Sequence, residues 1–189
     1  MDKIKQVKRE IKEILSRSIM PEFDMRHGEL VLSWVLKLKP DADDALQIAA
    51  LAHDIERGYY GKDKLKYDPA VYAVYDDYKN EHAHRGAQAI KVILKKYDFE
   101  RSFIEKVKYL VENHECGGNE EVNILRDADS ISYFFDRFDS YLEEKGLERA
   151  KIKVEYMFDR ISDGNKEKVG EIYKQVLKKL ENYKFNKIN

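Results

Sequence analysis

The chain places all five of its histidines, His27, His53, His82, His84 and His114, on stretches with helical periodicity. His53 is followed directly by Asp54 at the end of a run of small and apolar residues, ALQIAALA at 45–52, and an acidic pair, Asp127 and Asp129, follows further along. Neutral imidazole and carboxylate are what a divalent metal takes from a protein that offers no thiolate cluster. A metal so held activates water, so the chemistry these residue types point to is metal-assisted hydrolysis.

Helical phase says which of these side chains face inward. His27 shares a stripe with Leu30, Val31, Trp34 and Leu38, and His53 stands four residues after Ala49 on a small-residue face. Asp54 is about 100° further round, so it approaches the same point from an adjacent direction. A carboxylate at a helix C-terminus opposes the macrodipole and asks for a compensating cation. His82 and His84 lie about 200° apart on one helix and cannot both face in. The apolar face through Ala83, Ala87, Ile90 and Leu94 selects His82 and leaves His84 exposed or on a pocket rim. His114 follows Ile104, Val107 and Val111 and faces inward near a helix end. In the acidic pair, the stripe Ile131, Phe134, Phe135, Phe138 and Leu142 places Asp127 beneath it and Asp129 opposite. Gly86 offers a place where another helix or a ligand comes close. Cys116, the one cysteine, excludes an intramolecular disulfide and is read as incidental.

The ordered set His27, then His53-Asp54 in LAHDIERG, then EHAHRGA at 81–87, His114 in VENHE and RDADS at 126–130 resembles the HD-domain superfamily of metal-dependent phosphohydrolases. The resemblance covers roughly residues 20–140. It implies a compact all-helical HD fold and a divalent metal (Mn, Co, Ni, Fe, Zn or Mg) held by His27, His53, Asp54 and Asp129. Here the family pattern selects Asp129 where periodicity alone selects Asp127. It further implies that His82 and His114 serve a second metal or a substrate phosphate. Glu56, one position earlier than the family's glutamate, becomes a proton carrier beside Asp54. By their own chemistry Arg57, Lys62 and Lys64 are candidate clamps on phosphate oxygens, the two lysines reading equally well as a solvated loop. The activity implied is hydrolysis of a nucleotide or other small phosphate ester. The alternatives are a non-catalytic metal- or nucleotide-binding module and a di-iron HD oxygenase.

The elements that must position these residues read as helices throughout. Periodicity predicts helices over 3–19, 22–38, 42–56, 81–97, 100–115, 127–145, 147–162 and 165–183, with a short one from Pro69 to Tyr78. Asp41 with Asp44 is read as the N-cap of the third helix, Gly146 and Gly164 as stops, and 57–68 as a loop. No segment alternates as a strand does, so the class is all-α. The length of 189 residues favours one domain over 1–189, the HD core lying over 20–140 and further helices over 147–183. A net charge of −1, with no basic block interleaved with aromatics, gives no support for nucleic-acid binding. No stretch is apolar enough for a membrane span, and the charged N-terminus MDKIKQVKREIKEIL lacks the core of a signal peptide, so a soluble cytoplasmic protein is expected.

Overall fold

In the computed structural model, which describes residues 2–68, 71 and 75–186, every regular element is helical, and no strand occurs among the described residues. The protein is all-α. Asp2 caps the first helix, α1 (Lys3–Leu15), by accepting from the Ile4 amide at 3.0 Å. Pro21 opens α2 (Pro21–Leu38) at a position where its missing N–H costs nothing. The cap of α3 (Asp44–Ala52) is Asp43, whose carboxylate accepts from the Leu46 amide at 2.9 Å, two residues later than the cap read from sequence. After a turn at 53–55 come α4 (Glu56–Tyr59) and a single 3-10 turn, so the expected loop at 57–68 is partly helical. The expected helix from Pro69 to Tyr78 falls in part outside the described residues. α5 (Tyr75–Lys96) and α6 (Arg101–Asn113) follow, the first starting earlier than its apolar residues announce.

The chain divides after Leu125 into two compact units, Met1–Leu125 and Arg126–Asn189. In the first, α3 is the central element, packed against α1, α2 and α6, while α5 lies along α6 and α4. The alanines of α3 are all buried and allow that approach on several sides. Close approach is tightest at Gly58: a Cβ there would lie 2.9 Å from Leu15 Cα and nearer still to the Ile14 carbonyl oxygen. Gly86 is roomier than expected, since its Cβ would meet the His53 carbonyl oxygen at 3.6 Å, an ordinary contact.

The helix expected from 127 starts at Glu120 and breaks at Arg137, giving α7 (Glu120–Asp136) and α8 (Phe138–Lys145). Phe135 is half-exposed, so the stripe expected over Ile131–Leu142 is narrower than its apolar letters. In the second unit α8 packs on α9 (Leu147–Asp159), and α9 on α11 (Gly170–Asn186), with Phe158 stacked on Tyr173 at 3.8 Å. Gly146 ends α8 with φ 78°, a left-handed backbone natural to glycine. Gly164, by contrast, sits inside the short helix α10 (Asp163–Lys166) and stops nothing.

Candidate metal centre

His27 reaches the centre from the buried face of α2, which is Asp24, His27, Gly28, Val31 and Val35. Phe23 stacks on its ring at 5.5 Å between centroids. His53 and Asp54 come from the turn that ends α3, and both are buried. His114 is the C-cap of α6, and His82 comes from the buried face of α5. The four rings form a chain, with centroid distances of 5.1 Å for His27 to His53, 5.4 Å for His53 to His114 and 6.2 Å for His82 to His114.

Two of these rings are oriented by the backbone. His53 Nδ1 lies 2.9 Å from the Ala50 carbonyl oxygen, and His114 Nδ1 lies 2.7 Å from that of Val111. A carbonyl only accepts, so Nδ1–H must donate, and each neutral ring carries its lone pair on Nε2. This is how a protein fixes a histidine as a metal ligand. Two groups result in which the potential ligand atoms lie within 4.8 Å of one another: His27, His53 and Asp54, and Asp54, His82 and His114. All members are buried, and Asp54 belongs to both. Buried imidazoles and a carboxylate so gathered can bind a divalent metal, and the donor set suits a borderline ion such as zinc, nickel, cobalt or iron.

Cations surround the acidic side chains. Arg57 spans two of them, with one nitrogen 2.9 Å from Asp24 Oδ1 and the other 2.8 Å from Asp54 Oδ2. It is the compensating charge that Asp54 requires. His82 lies between carboxylates, Nε2 at 2.8 Å from Asp54 Oδ1 and Nδ1 at 3.1 Å from Glu56 Oε2. Burial works against the charged ring, but those two hydrogen bonds prevail and its pKa is pushed up to about 9. Burial likewise opposes ionisation of Asp54, yet Arg57, His53 and His82 hold its carboxyl well below the usual carboxylate range. Glu56 is buried too. The His82 and Leu65 hydrogen bonds and the Arg85 charge outweigh that burial and lower its pKa.

Both Glu56 oxygens are engaged, Oε1 by the Leu65 amide at 2.8 Å and Oε2 by His82, which makes Glu56 a support for the His82 ring. His84 stands outside the centre, with its side chain 53% exposed and Nδ1 2.7 Å from Glu112 Oε1. Lys62 is exposed and Lys64 half-buried on the segment following α4. Cys116 is exposed, its thiol 2.9 Å from Asn80 Oδ1.

The acidic pair belongs to the second unit. Asp127 is fully buried and accepts from the Ser162 amide at 3.1 Å, the Ser162 hydroxyl at 3.2 Å and Asn165 Nδ2 at 2.8 Å. Those bonds fasten the start of α10. Asp129, the expected fourth ligand, has Arg160 at 3.4 Å. Both lie well inside α7, so the freedom of phase that a helix terminus would have given Asp129 is absent.

Sequence reasoning missed Asp24, Lys79 and Glu115. Lys79 is buried, 2.9 Å from Asp76 and 3.7 Å from Glu115, whose other oxygen is 3.9 Å from His114 Nε2. A usable signal existed for two of them: Asp24 precedes His27, and Lys79 precedes His82, by the three residues that put helix neighbours on one face.

An all-α chain with a buried histidine–aspartate cluster able to hold a metal is what the fold and the centre define. The chain matches the family described as Domain of unknown function (DUF4202) over residues 5–181, and belongs to it. Comparison with curated proteins and with solved structures gives no match. No helix among the described residues is long and apolar enough to cross a membrane.

Proposed function

We propose that this protein is a metal-dependent phosphohydrolase of HD type, acting on a nucleotide or another small phosphate ester. The observation that carries the reading is the pair of backbone-anchored rings, His53 and His114, whose Nε2 lone pairs belong to two ligand groups sharing Asp54. His27, His53 and Asp54 would hold a divalent metal. Asp129 as a fourth ligand is proposed from the resemblance alone. When bound, the metal supplies Lewis acidity and lowers the pKa of coordinated water toward neutrality. The chain's own residues supply the rest. Arg57 is held by Asp24 so that its fork stays beside Asp54, where it meets phosphate oxygens. His82, its two ring nitrogens held by Glu56 and Asp54, contributes a positive charge beside developing negative charge. Lys79 adds a further cation near His114.

The test uses full-length protein purified without a nickel column. Elemental analysis should find a bound divalent transition metal. A panel of nucleoside mono-, di- and triphosphates, cyclic nucleotides and sugar phosphates, run with and without chelator, should show metal-dependent phosphate release. Failure of manganese, cobalt, nickel and zinc all to bind would end the metal reading. Bound metal and bound nucleotide with no turnover would make the chain a binding module, and oxygen consumption by an iron-loaded sample would make it an oxygenase.

A further inference from the structure

On the far side of α4 from the histidines lies a groove of about 430 Å³ walled by α1, α4 and α5. That volume is in the range that accepts a small metabolite. Its floor includes Ile14, Ile93 and Gly58, and its rim carries Val92 and Tyr59, two large apolar side chains left 55% and 41% exposed. Its charges divide into engaged and available ones. Lys96 is bound to both oxygens of Glu10, at 2.8 and 3.0 Å, and the Tyr97 hydroxyl donates to the same carboxylate at 2.6 Å. Arg9 lies 3.7 Å from Glu13, with both side chains more than half exposed. Arg17, four residues beyond Glu13, is exposed, and its charge acts on Glu10 without a side-chain hydrogen bond or close ion pair among the described residues. Two guanidinium groups thus border an exposed tyrosine and valine in a groove whose lining is more polar than apolar, with Ile14 and Ile93 beneath. Guanidinium forks match carboxylate and phosphate geometry, and aromatic and branched side chains match an apolar body.

We infer that this groove is a second binding site, for a small organic anion with an apolar or aromatic body, and that its occupant is coupled to the histidine centre through α4. The coupling follows from how short α4 is. Glu56 and Arg57 face the histidines, while Gly58 and Tyr59 line the groove. Gly58 is pressed against the Ile14 carbonyl and Leu15 Cα with no room for a Cβ, so α4 has no slack against the end of α1. A ligand that draws Arg17 and Tyr59 together shifts the helix that carries Arg57. Regulation of the centre by an anion that is not its substrate is the consequence.

The experiment is residue-resolved NMR on full-length, metal-free protein titrated with benzoate and phenylphosphonate, with benzyl alcohol as the uncharged counterpart. At least one anion should shift Gly58 and Tyr59 saturably with a Kd below about 1 mM, and benzyl alcohol should bind at least about tenfold more weakly. The Arg9→Ala/Arg17→Ala double variant alters only exposed side chains; it should weaken binding by about tenfold or more, while Lys151→Ala should not. The side-chain signals of Arg57 and His82 should move with the same saturation curve. Absence of saturable shifts for both anions, or unchanged affinity in the arginine variant, overturns the site. Saturation at Tyr59 with Arg57 and His82 unmoved overturns the coupling. None of these readouts depends on the centre binding a metal.

Discussion

Asp54 and His82 meet at 2.8 Å, Oδ1 to Nε2, with both side chains buried. The other Asp54 oxygen faces Arg57 at 2.8 Å and His53 Nε2 at 3.6 Å. One carboxylate therefore serves two histidine groups and one guanidinium. Asp54→Ala should weaken transition-metal affinity by more than about 100-fold, because it removes the carboxylate common to both groups able to hold a metal. His84→Ala, which loses only a surface contact to Glu112, should stay within about twofold. Calorimetric titration with cobalt measures both, and comparable losses would refute the assignment of His82 over His84.

Asp24 reaches the centre through Arg57, at 2.9 Å. Asp24→Asn keeps the shape and weakens the hold on the guanidinium, so metal affinity should change by no more than about threefold. If the phosphohydrolase reading is right, KM should rise more than kcat falls, as expected where a clamp contributes equally to ground and transition states. Steady-state kinetics on whichever ester turns over decides this, and a loss confined to kcat would place Asp24 in the chemistry instead.

Much of this was legible in the letters, and the reasons for the rest are physical. The inward phase of His27, His53, His82 and His114 follows from apolar neighbours one and two turns away. The bonds from Nδ1 to the Ala50 and Val111 carbonyls were not readable, since they depend on a helix ending where its own carbonyls become free. Lys79 was hidden because the first turns of α5, YDDYKN, carry no apolar stripe, so its helix seemed to begin later. The seven residues that α7 has before Asp127 were lost the same way, under a polar start with apolar letters only at Val122, Ile124 and Leu125. Gly58 lay in a segment without periodicity, where nothing announces a helix of four residues.

That glycine gives a stability prediction. Gly58→Ala must displace the backbone of Ile14 and Leu15, at a cost of about 1–3 kcal/mol. Gly86→Ala meets only ordinary contacts in the middle of α5, and should gain up to about 1 kcal/mol from helix propensity. Thermal melts of the two variants should move in opposite directions.

Glu10 ties α1 to the end of α5. Burial raises its pKa, but hydrogen bonds from Lys96 and Tyr97 and the Lys96 charge prevail, and the folded value lies below the ordinary one. A carboxyl depressed on folding adds stability that is fully present above its unfolded pKa and is lost as pH falls through the folded one. Glu10→Gln should therefore melt below the parent near pH 7, with the gap closing as pH drops below about 4. A gap independent of pH would show that packing, and not charge, is what Glu10 contributes.

The acidic pair in α7 separates structure from ligation. Asp127 is fully buried and accepts three hydrogen bonds from Ser162 and Asn165. Asp127→Ala leaves those donors without a partner, at about 1–3 kcal/mol for a buried group. It should lower the melting temperature in chelator, where no metal contributes. Asp129 is only partly buried, with Arg160 at 3.4 Å, so Asp129→Ala should cost less than Asp127→Ala in chelator. Should Asp129 be the fourth ligand, the same variant loses metal and loses the stabilisation that added metal gives the parent, since a ligand bound to the native state alone raises its stability. Melting curves of both variants with chelator and with cobalt therefore assign the pair. A cobalt response kept in Asp129→Ala and absent from Asp127→Ala would return the ligand to the residue that helical phase selects.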